Sequence, residues 1–314
     1  MTAQGRRDAP GRITVLAPAK INLGLEILGR RRDGYHEIVT VLQALRLTDR
    51  LEIRLSEEPG IRLHLRPAGL DLGPAEDNLA VRAARLIPAR RSQPPGVEIA
   101  LEKRIPVGSG LGGGSADAAA VLLGLAELRR GSCRPEVLEE LGTTLGSDVP
   151  FFVRGGTQLG FGRGERLRAA PPWPFHHLVL VYPNLGISTG SIYTRATLQL
   201  TSPGILGRIQ SRGFSPDFWS RQGPDLRNDL EHAVLEAEPR VGAVLAELRS
   251  LGSPFARVTG SGSAVFGLSP DSRTAMTWAE HFLHQGYWAR AVRPSRGGCC
   301  IRGQRPGASA SQGE

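Results

Sequence analysis

The 314-residue sequence predicts an α+β protein rather than a doubly wound parallel sheet, on three observations. Strands and helices alternate irregularly along the chain. VEIALEKRI, residues 97–105, puts Val97, Ile99 and Leu101 on one face and Glu98 and Glu102 on the other, as a half-exposed antiparallel strand does. After the helix that follows it comes PEVLEELGTTLG, another helix where a parallel sheet needs a strand.

In chain order, RITVLAPAKINLGLEIL (12–28) reads as a strand pair or one long bent strand, and DRLEIRLS (49–56) and IRLHLRP (61–67) alternate as strands. NLAVRAARLI is a helix with Asn78 placed as its N-cap, SADAAAVLLGLAELRR is a second, and RPEVLEELGTTLG is a third with Pro135 in its first turn. TQLGFGRGERLR predicts a hairpin bent at Gly162 and Gly164, and HHLVLVYP a short apolar strand. The 225–252 segment gives two helices broken at Pro239. RVTGSGSAVFGLS gives a glycine-bent strand pair, and 274–294 a helix followed by a strand. PPWP at 171–174 is the expected hinge, dividing a 13–170 unit from a 171–293 unit. Residues 1–12 are expected to form a flexible tail, and the apolar-poor 294–314 segment a disordered one.

Composition narrows the function classes. No apolar run approaches a membrane span, and the start MTAQGRRDAPGR lacks the apolar stretch of a secretory signal. With only three cysteines, of which Cys299 and Cys300 are adjacent, a disulfide framework is not expected, which points to a reducing cytoplasmic setting. The net charge of +9 is concentrated at the two ends, and no stripe of arginine interleaved with aromatics appears. A nucleic-acid surface is therefore not expected, whereas small anions are natural partners.

The densest chemical signal is IPVGSGLGGGSADAAA, residues 105–120, with five glycines between 108 and 114. A loop so poor in side chains lets the backbone bring free N–H groups close to a ligand. It is not a P-loop, because Ser115 follows Gly114 with no intervening lysine. Gly108, Gly110 and Gly113 satisfy Gly-x-Gly-x-x-Gly, but the buried parallel strands of a dinucleotide-binding unit are missing around them. What remains is a strand, a glycine loop and a helix starting near Ser115, a setting that suits a di- or triphosphate. Taken singly, other residues read more plainly. Asp148 in LGSDVPFF reads as a cap or turn residue, Lys20 as a snorkelling strand residue, and Tyr35-His36 as a surface turn. His281 and His284 share a helix face without a third ligand group and read as solvated.

Three segments in order change that reading: APAKINLGLEILGRRRDGYHE at 17–37, the glycine loop, and TGSGSAVFG at 259–267. With EDNL (76–79), GSDVPFF (146–152) and RNDLE (227–231), they make the chain resemble the GHMP kinase superfamily from Ile13 to about Arg293. The resemblance is greatest to the branch that acts on a cytidine-diphosphate-linked methylerythritol. Arg257-Val258 depart from its usual pattern, and the tails have no counterpart in it.

The resemblance implies a two-domain GHMP kinase fold, with an N-terminal ribosomal protein S5 domain 2-like part and a C-terminal ferredoxin-like α/β sandwich. It implies ATP-dependent phosphorylation of the substrate's 2-hydroxyl in the non-mevalonate isoprenoid pathway, by a monomer or weak homodimer, without nucleic acid or membrane as partner. ATP phosphates are expected on Pro106, Val107, Gly108, Ser109, Gly110, Leu111, Gly112, Gly113, Gly114 and Ser115, with Ser115 near Mg²⁺ or a phosphate oxygen. Ser115 as a plain helix N-cap is compatible with that role. Asn78 and Lys103 are expected near the adenine or its ribose. Asp148 is expected as base or positioner and Lys20 as its cationic partner. Tyr35 and Tyr193 are expected to sandwich cytosine, with His36 and Asn22 hydrogen-bonding to it or to neighbouring groups. Direct metal ligands are left unassigned.

Overall fold

The computed structural model describes residues 11–87, 96–129, 133–174, 176–196, 204–215, 217–221 and 223–302. The first sheet is built on two unusually long strands, β1 (Arg12–Arg30) and β2 (His36–Ser56), paired antiparallel along their whole length. After β3 (Ile61–Arg66), a 3₁₀ turn (Ala75–Asp77) and α1 (Leu79–Leu86), the chain returns as β4 (Gly96–Glu102). β4 buries Val97, Ile99 and Leu101 as expected and is antiparallel to β2, yet it is parallel to β3. The crossover through α1 is long enough to permit that pairing.

The glycine loop then leads into α2 (Gly113–Leu128), followed by α3 (Pro135–Leu145) and α4 (Val149–Arg154). The hairpin β5 (Thr157–Gly162) and β6 (Arg166–Ala169) joins the sheet on the first half of β2, whose second half carries β4. α1 to α4 cover one face of this sheet over an aliphatic core that includes Val15, Leu51, Ile53, Ile99 and Leu122.

The second sheet has the order β10-β7-β9-β8 and is antiparallel throughout. Its strands are β7 (His177–Tyr182), β8 (Ala256–Val258), β9 (Val265–Ser269) and β10 (Trp288–Val292). Between β7 and β8 lie α5 (Thr189–Arg195), α6 (Ile205–Arg212), α7 (Phe218–Arg221), a 3₁₀ turn (Gly223–Asp225), α8 (Glu231–Ala237) and α9 (Pro239–Ser250). α10 (Ser272–His284) precedes β10. A third cluster joins the sheets: Ile21, Leu23, Val39 and Leu159 of the first meet Leu178, Leu180 and Phe266 of the second. The halves are thus welded by apolar packing. Trp173 of PPWP packs against this cluster, and its backbone N–H donates to Thr157 Oγ1 at 3.0 Å, so the expected hinge is pinned. We propose 170/171 as the division of the chain.

Two expected tails need correction. Arg12 already begins β1. Residues 294–302 are not disordered: they cross the first sheet, and β11 (Cys300–Ile301) pairs with Val15 and Leu16 as its edge strand. Ser295 N–H donates to Ala44 O at 2.7 Å, Cys299 N–H to Phe152 O at 2.7 Å and Arg302 N–H to Thr14 O at 2.9 Å. The low apolar content misled because backbone hydrogen bonds hold this segment. Its glycines let main chain lie directly on main chain: a Cβ on Gly155 would fall 1.8 Å from Gly298 N. Residues 1–10 and 303–314 lie outside the described residues.

Candidate active site

One cleft of about 1140 Å³ runs between the halves. β1 supplies its floor. Its register shifts against β2 between Pro18 and Lys20 and again between Asn22 and Gly24, bulges that bracket the two polar residues of an otherwise apolar stretch. Two apart on one strand, Lys20 and Asn22 share a face. Lys20 Nζ donates to Asn22 Oδ1 at 2.7 Å and stands 3.5 Å from Asp148 Oδ2. Lys20 is 5% exposed, so its charge is held where water screens it weakly.

Asp148 sits in the turn before α4, at its N-cap position, but its side chain makes no capping bond. Asn22 donates from Nδ2 to Thr40 Oγ1 and from its backbone N–H to Thr259 Oγ1, both at 2.9 Å. Its side-chain amide thus ties Lys20 to Thr40, and Asn22 lines the cleft.

The glycine loop is fastened to this floor by Lys20 N–H donating to Leu111 O at 2.9 Å. Gly108, Gly110 and Gly112 have φ of 69°, 80° and 76°, a region open to glycine. α2 begins at Gly113 with Gly112 as N-cap, so Ser115 lies inside the first turn rather than at the cap. Its hydroxyl has no partner among the described residues. The bend at 259–263 closes from the other half: Ala264 N–H donates to Ser109 O at 2.9 Å, and a Cβ on Gly110 would fall 2.6 Å from Gly262 O.

Asn78 caps α1 by accepting from Ala80 N–H at 2.9 Å and lines the cleft beside Leu79 and Val107. Lys103, expected beside adenine or ribose, commits its ammonium to Asp49 at 2.5 Å and Asp117 at 2.8 Å. It lies 3.0 Å from where a Cβ of Gly113 would stand, so it supports the loop from beneath. Asp49 further accepts from the backbone N–H groups of Arg104 and Ile105.

One ammonium between two buried carboxylates leaves an excess negative charge. Burial, opposed by Lys103 and reinforced by Asp49, pushes the Asp117 carboxyl from 3.8 up to about 7. The folded protein then keeps a proton that the unfolded chain has released, so stability falls as pH rises between those two values. Asp117→Asn should remove this loss. In urea titrations its stability advantage over the wild type should be larger at pH 8 than at pH 4, and a constant difference would refute the assignment.

At the other end, His36 stacks on Tyr193 with ring centroids 5.2 Å apart and an interplanar angle of 28°. Tyr35, 56% exposed at the β1–β2 turn, lines the same cleft, and its ring carries the Arg163 guanidinium at 4.8 Å. Tyr35 and Tyr193, expected to sandwich cytosine, both line this cleft, and the ring that Tyr193 stacks on is that of His36. Burial, helped by Arg30, lowers the His36 pKa and keeps the imidazole neutral. Burial, with the Asp148 carboxylate next, raises the Tyr193 pKa and keeps the phenol protonated.

Asp49, Asp117, Thr259 and the cleft arginines Arg30 and Arg163 were not singled out from sequence. Asp49 had a signal, as a lone acid opening an alternating strand. Arg163 had one too, between the two turn glycines of a hairpin. His281 approaches Glu247 at 2.6 Å, far from any ligand set, and no group of three metal-ligating side chains occurs among the described residues. None of the described helices is long and apolar enough to cross a membrane.

Comparison with known proteins identifies the family. Residues 78–156 match the GHMP kinases N terminal domain and 218–277 the GHMP kinases C terminal domain. The 4-diphosphocytidyl-2-C-methyl-D-erythritol kinase of Pelotomaculum thermopropionicum is 43% identical over 86% of this chain and 93% of its own. That of Geobacter sulfurreducens is 39% identical over 90% and 99%. A crystal structure of 4-(cytidine 5'-diphospho)-2C-methyl-D-erythritol kinase superposes with a TM-score of 0.72 at 38% identity, covering 91% of this chain and 100% of the other. On fold, site and relatives together, the chain belongs to the 4-diphosphocytidyl-2-C-methyl-D-erythritol kinase family of GHMP kinases.

Proposed function

We propose that the chain transfers the γ-phosphoryl group of ATP to the 2-hydroxyl of 4-diphosphocytidyl-2-C-methyl-D-erythritol, giving the 2-phosphate and ADP in the non-mevalonate route to isoprenoid precursors. The observation that carries this reading is the Lys20–Asp148 pair, set between the glycine loop and the His36–Tyr193 stack in one cleft. Phosphoryl transfer asks little covalent work of a protein, so the tasks are to grip the polyphosphate, align the alcohol and neutralise developing charge.

Amides of residues 108–115 and the first turn of α2 grip the phosphates. Asp148 accepts or orients the 2-hydroxyl proton, while Lys20 stands 3.5 Å away and steadies the forming alkoxide. The free Ser115 hydroxyl is a hard oxygen donor suited to Mg²⁺, which when bound neutralises charge on the transferred group.

A neutral His36 offers one donor and one acceptor, matching the mixed edge of cytosine, while Tyr193 and Tyr35 offer ring faces. Arg30 and Arg163 line this end and suit the substrate's diphosphate. Tyr193→Leu should raise KM for the cytidyl substrate by about tenfold or more through lost stacking, with KM for ATP unchanged. Equal rises in both constants would remove Tyr193 from the cytidine subsite.

The deciding experiment is ADP release in parallel with the cytidyl substrate, mevalonate and homoserine. Turnover is expected with the first alone; turnover with either other alcohol and none with the first overturns the proposal.

A further inference from the structure

The RNDLE segment, residues 227–231, has no part in the site so far, yet it touches both walls of it. Leu25 N–H donates to Arg227 O at 2.8 Å and Asp229 N–H to Leu25 O at 2.9 Å, an isolated parallel bridge laid on β1 beyond Lys20 and Asn22. Asp229 Oδ2 accepts from Ile27 N–H at 2.8 Å. On the other side, Asn228 Nδ2 donates to Val258 O at 3.0 Å and to Gly260 O at 2.8 Å, and its Oδ1 accepts from Leu230 N–H at 3.1 Å. Asn228 is 6% exposed, and both of its amide N–H groups are spent on the two carbonyls that flank Thr259.

Thr259 is fully buried. Its hydroxyl accepts from Asn22 N–H at 2.9 Å and reaches Asn22 Oδ1 at 3.4 Å, the atom to which Lys20 Nζ donates. Gly260 completes the fit: with φ of 56°, a Cβ there would lie 2.9 Å from Asn22 Oδ1 and 3.7 Å from Lys20 Nζ.

We infer that Asn228 is a positioning residue for phosphoryl transfer: by clamping both sides of Thr259 it sets Asn22, and through Asn22 the aim of the Lys20 ammonium at Asp148. Asn228 lies outside the cleft lining, so its loss should not remove a ligand contact. A misaimed catalytic cation costs rate rather than affinity.

The inference rests on the phosphoryl-transfer reading above, and the test separates the two. In Asn228→Ala, kcat should fall by about tenfold to a hundredfold, with KM for ATP and for the cytidyl substrate within about twofold. Thr259→Val, which removes only the hydroxyl, should show the same split and be non-additive with Asn228→Ala, whereas Thr259→Ser should recover the rate. Amide hydrogen exchange should rise in 20–27 and 258–264 of Asn228→Ala while α2 stays protected.

Unchanged kcat, a loss of rate that only follows global unfolding, or exchange unchanged in those two segments overturns the inference. If the wild-type protein does not turn over the cytidyl substrate, the functional reading falls, and the exchange pattern alone then upholds or overturns the Asn228 coupling.

Discussion

Asp148→Asn is expected to lower kcat by about 10²–10⁴-fold, with KM for ATP and the circular dichroism spectrum unchanged. The substitution keeps the shape and removes the negative charge, so the proposed base or positioner of the alcohol is lost and Lys20 loses the carboxylate that stands 3.5 Å away. Helix stability should not confuse the result, because the side chain makes no capping bond to α4 and its carboxylate is partly open to the cleft. For the same reason the melting temperature should move little. Steady-state ADP release with the cytidyl substrate measures the effect. A variant with near-normal turnover would leave Asp148 a surface acid and return the site to an unassigned cleft.

Gly112→Ala is expected to damage both the fold and the reaction, whereas Gly114→Ala two residues later should be tolerated. At Gly112 the backbone has φ of 76°, and an added Cβ would lie 2.6 Å from Phe152 Cζ and 3.0 Å from Lys20 Cγ. Left-handed backbone and overpacking together should cost about 2–4 kcal/mol. Relief by displacement moves the Lys20 side chain, whose ammonium is proposed to act in the reaction, so kcat should fall with stability. At Gly114 the nearest atom to a new Cβ is Leu79 Cδ1 at 3.8 Å, ordinary contact within a helical turn. Thermal melts and ADP release for the two variants side by side test this. Equal effects would show that the loop tolerates or rejects side chains generally, and that the close approach at Gly112 is not what matters.

Much of this site was legible in the residues. The glycine loop declared itself by composition, and Asn78 by its place before an apolar periodic run; both occupy the expected positions in the chain. The family segments supplied Lys20 and Asp148, which composition alone made ordinary. Other features were hidden for identifiable reasons. The Asp49–Lys103–Asp117 triad unites residues on a strand, a strand end and a helix, and local periodicity carries no information on which of these meet. The 294–302 segment was misread because its order comes from backbone pairing and glycine contacts, which leave no apolar pattern.

By itself the sequence determined the α+β class, many of the strands and helices, and a glycine loop at a helix start, because these depend on neighbouring residues and on side-chain periodicity. Tertiary structure alone decided that β1 bulges on both sides of Lys20 and Asn22, that His36 stacks on Tyr193, and that Asn228 reaches the carbonyls around Thr259. Asn22 and Thr259 stand 237 positions apart in the chain, and packing of the two halves across the shared apolar cluster brings them within hydrogen-bond distance.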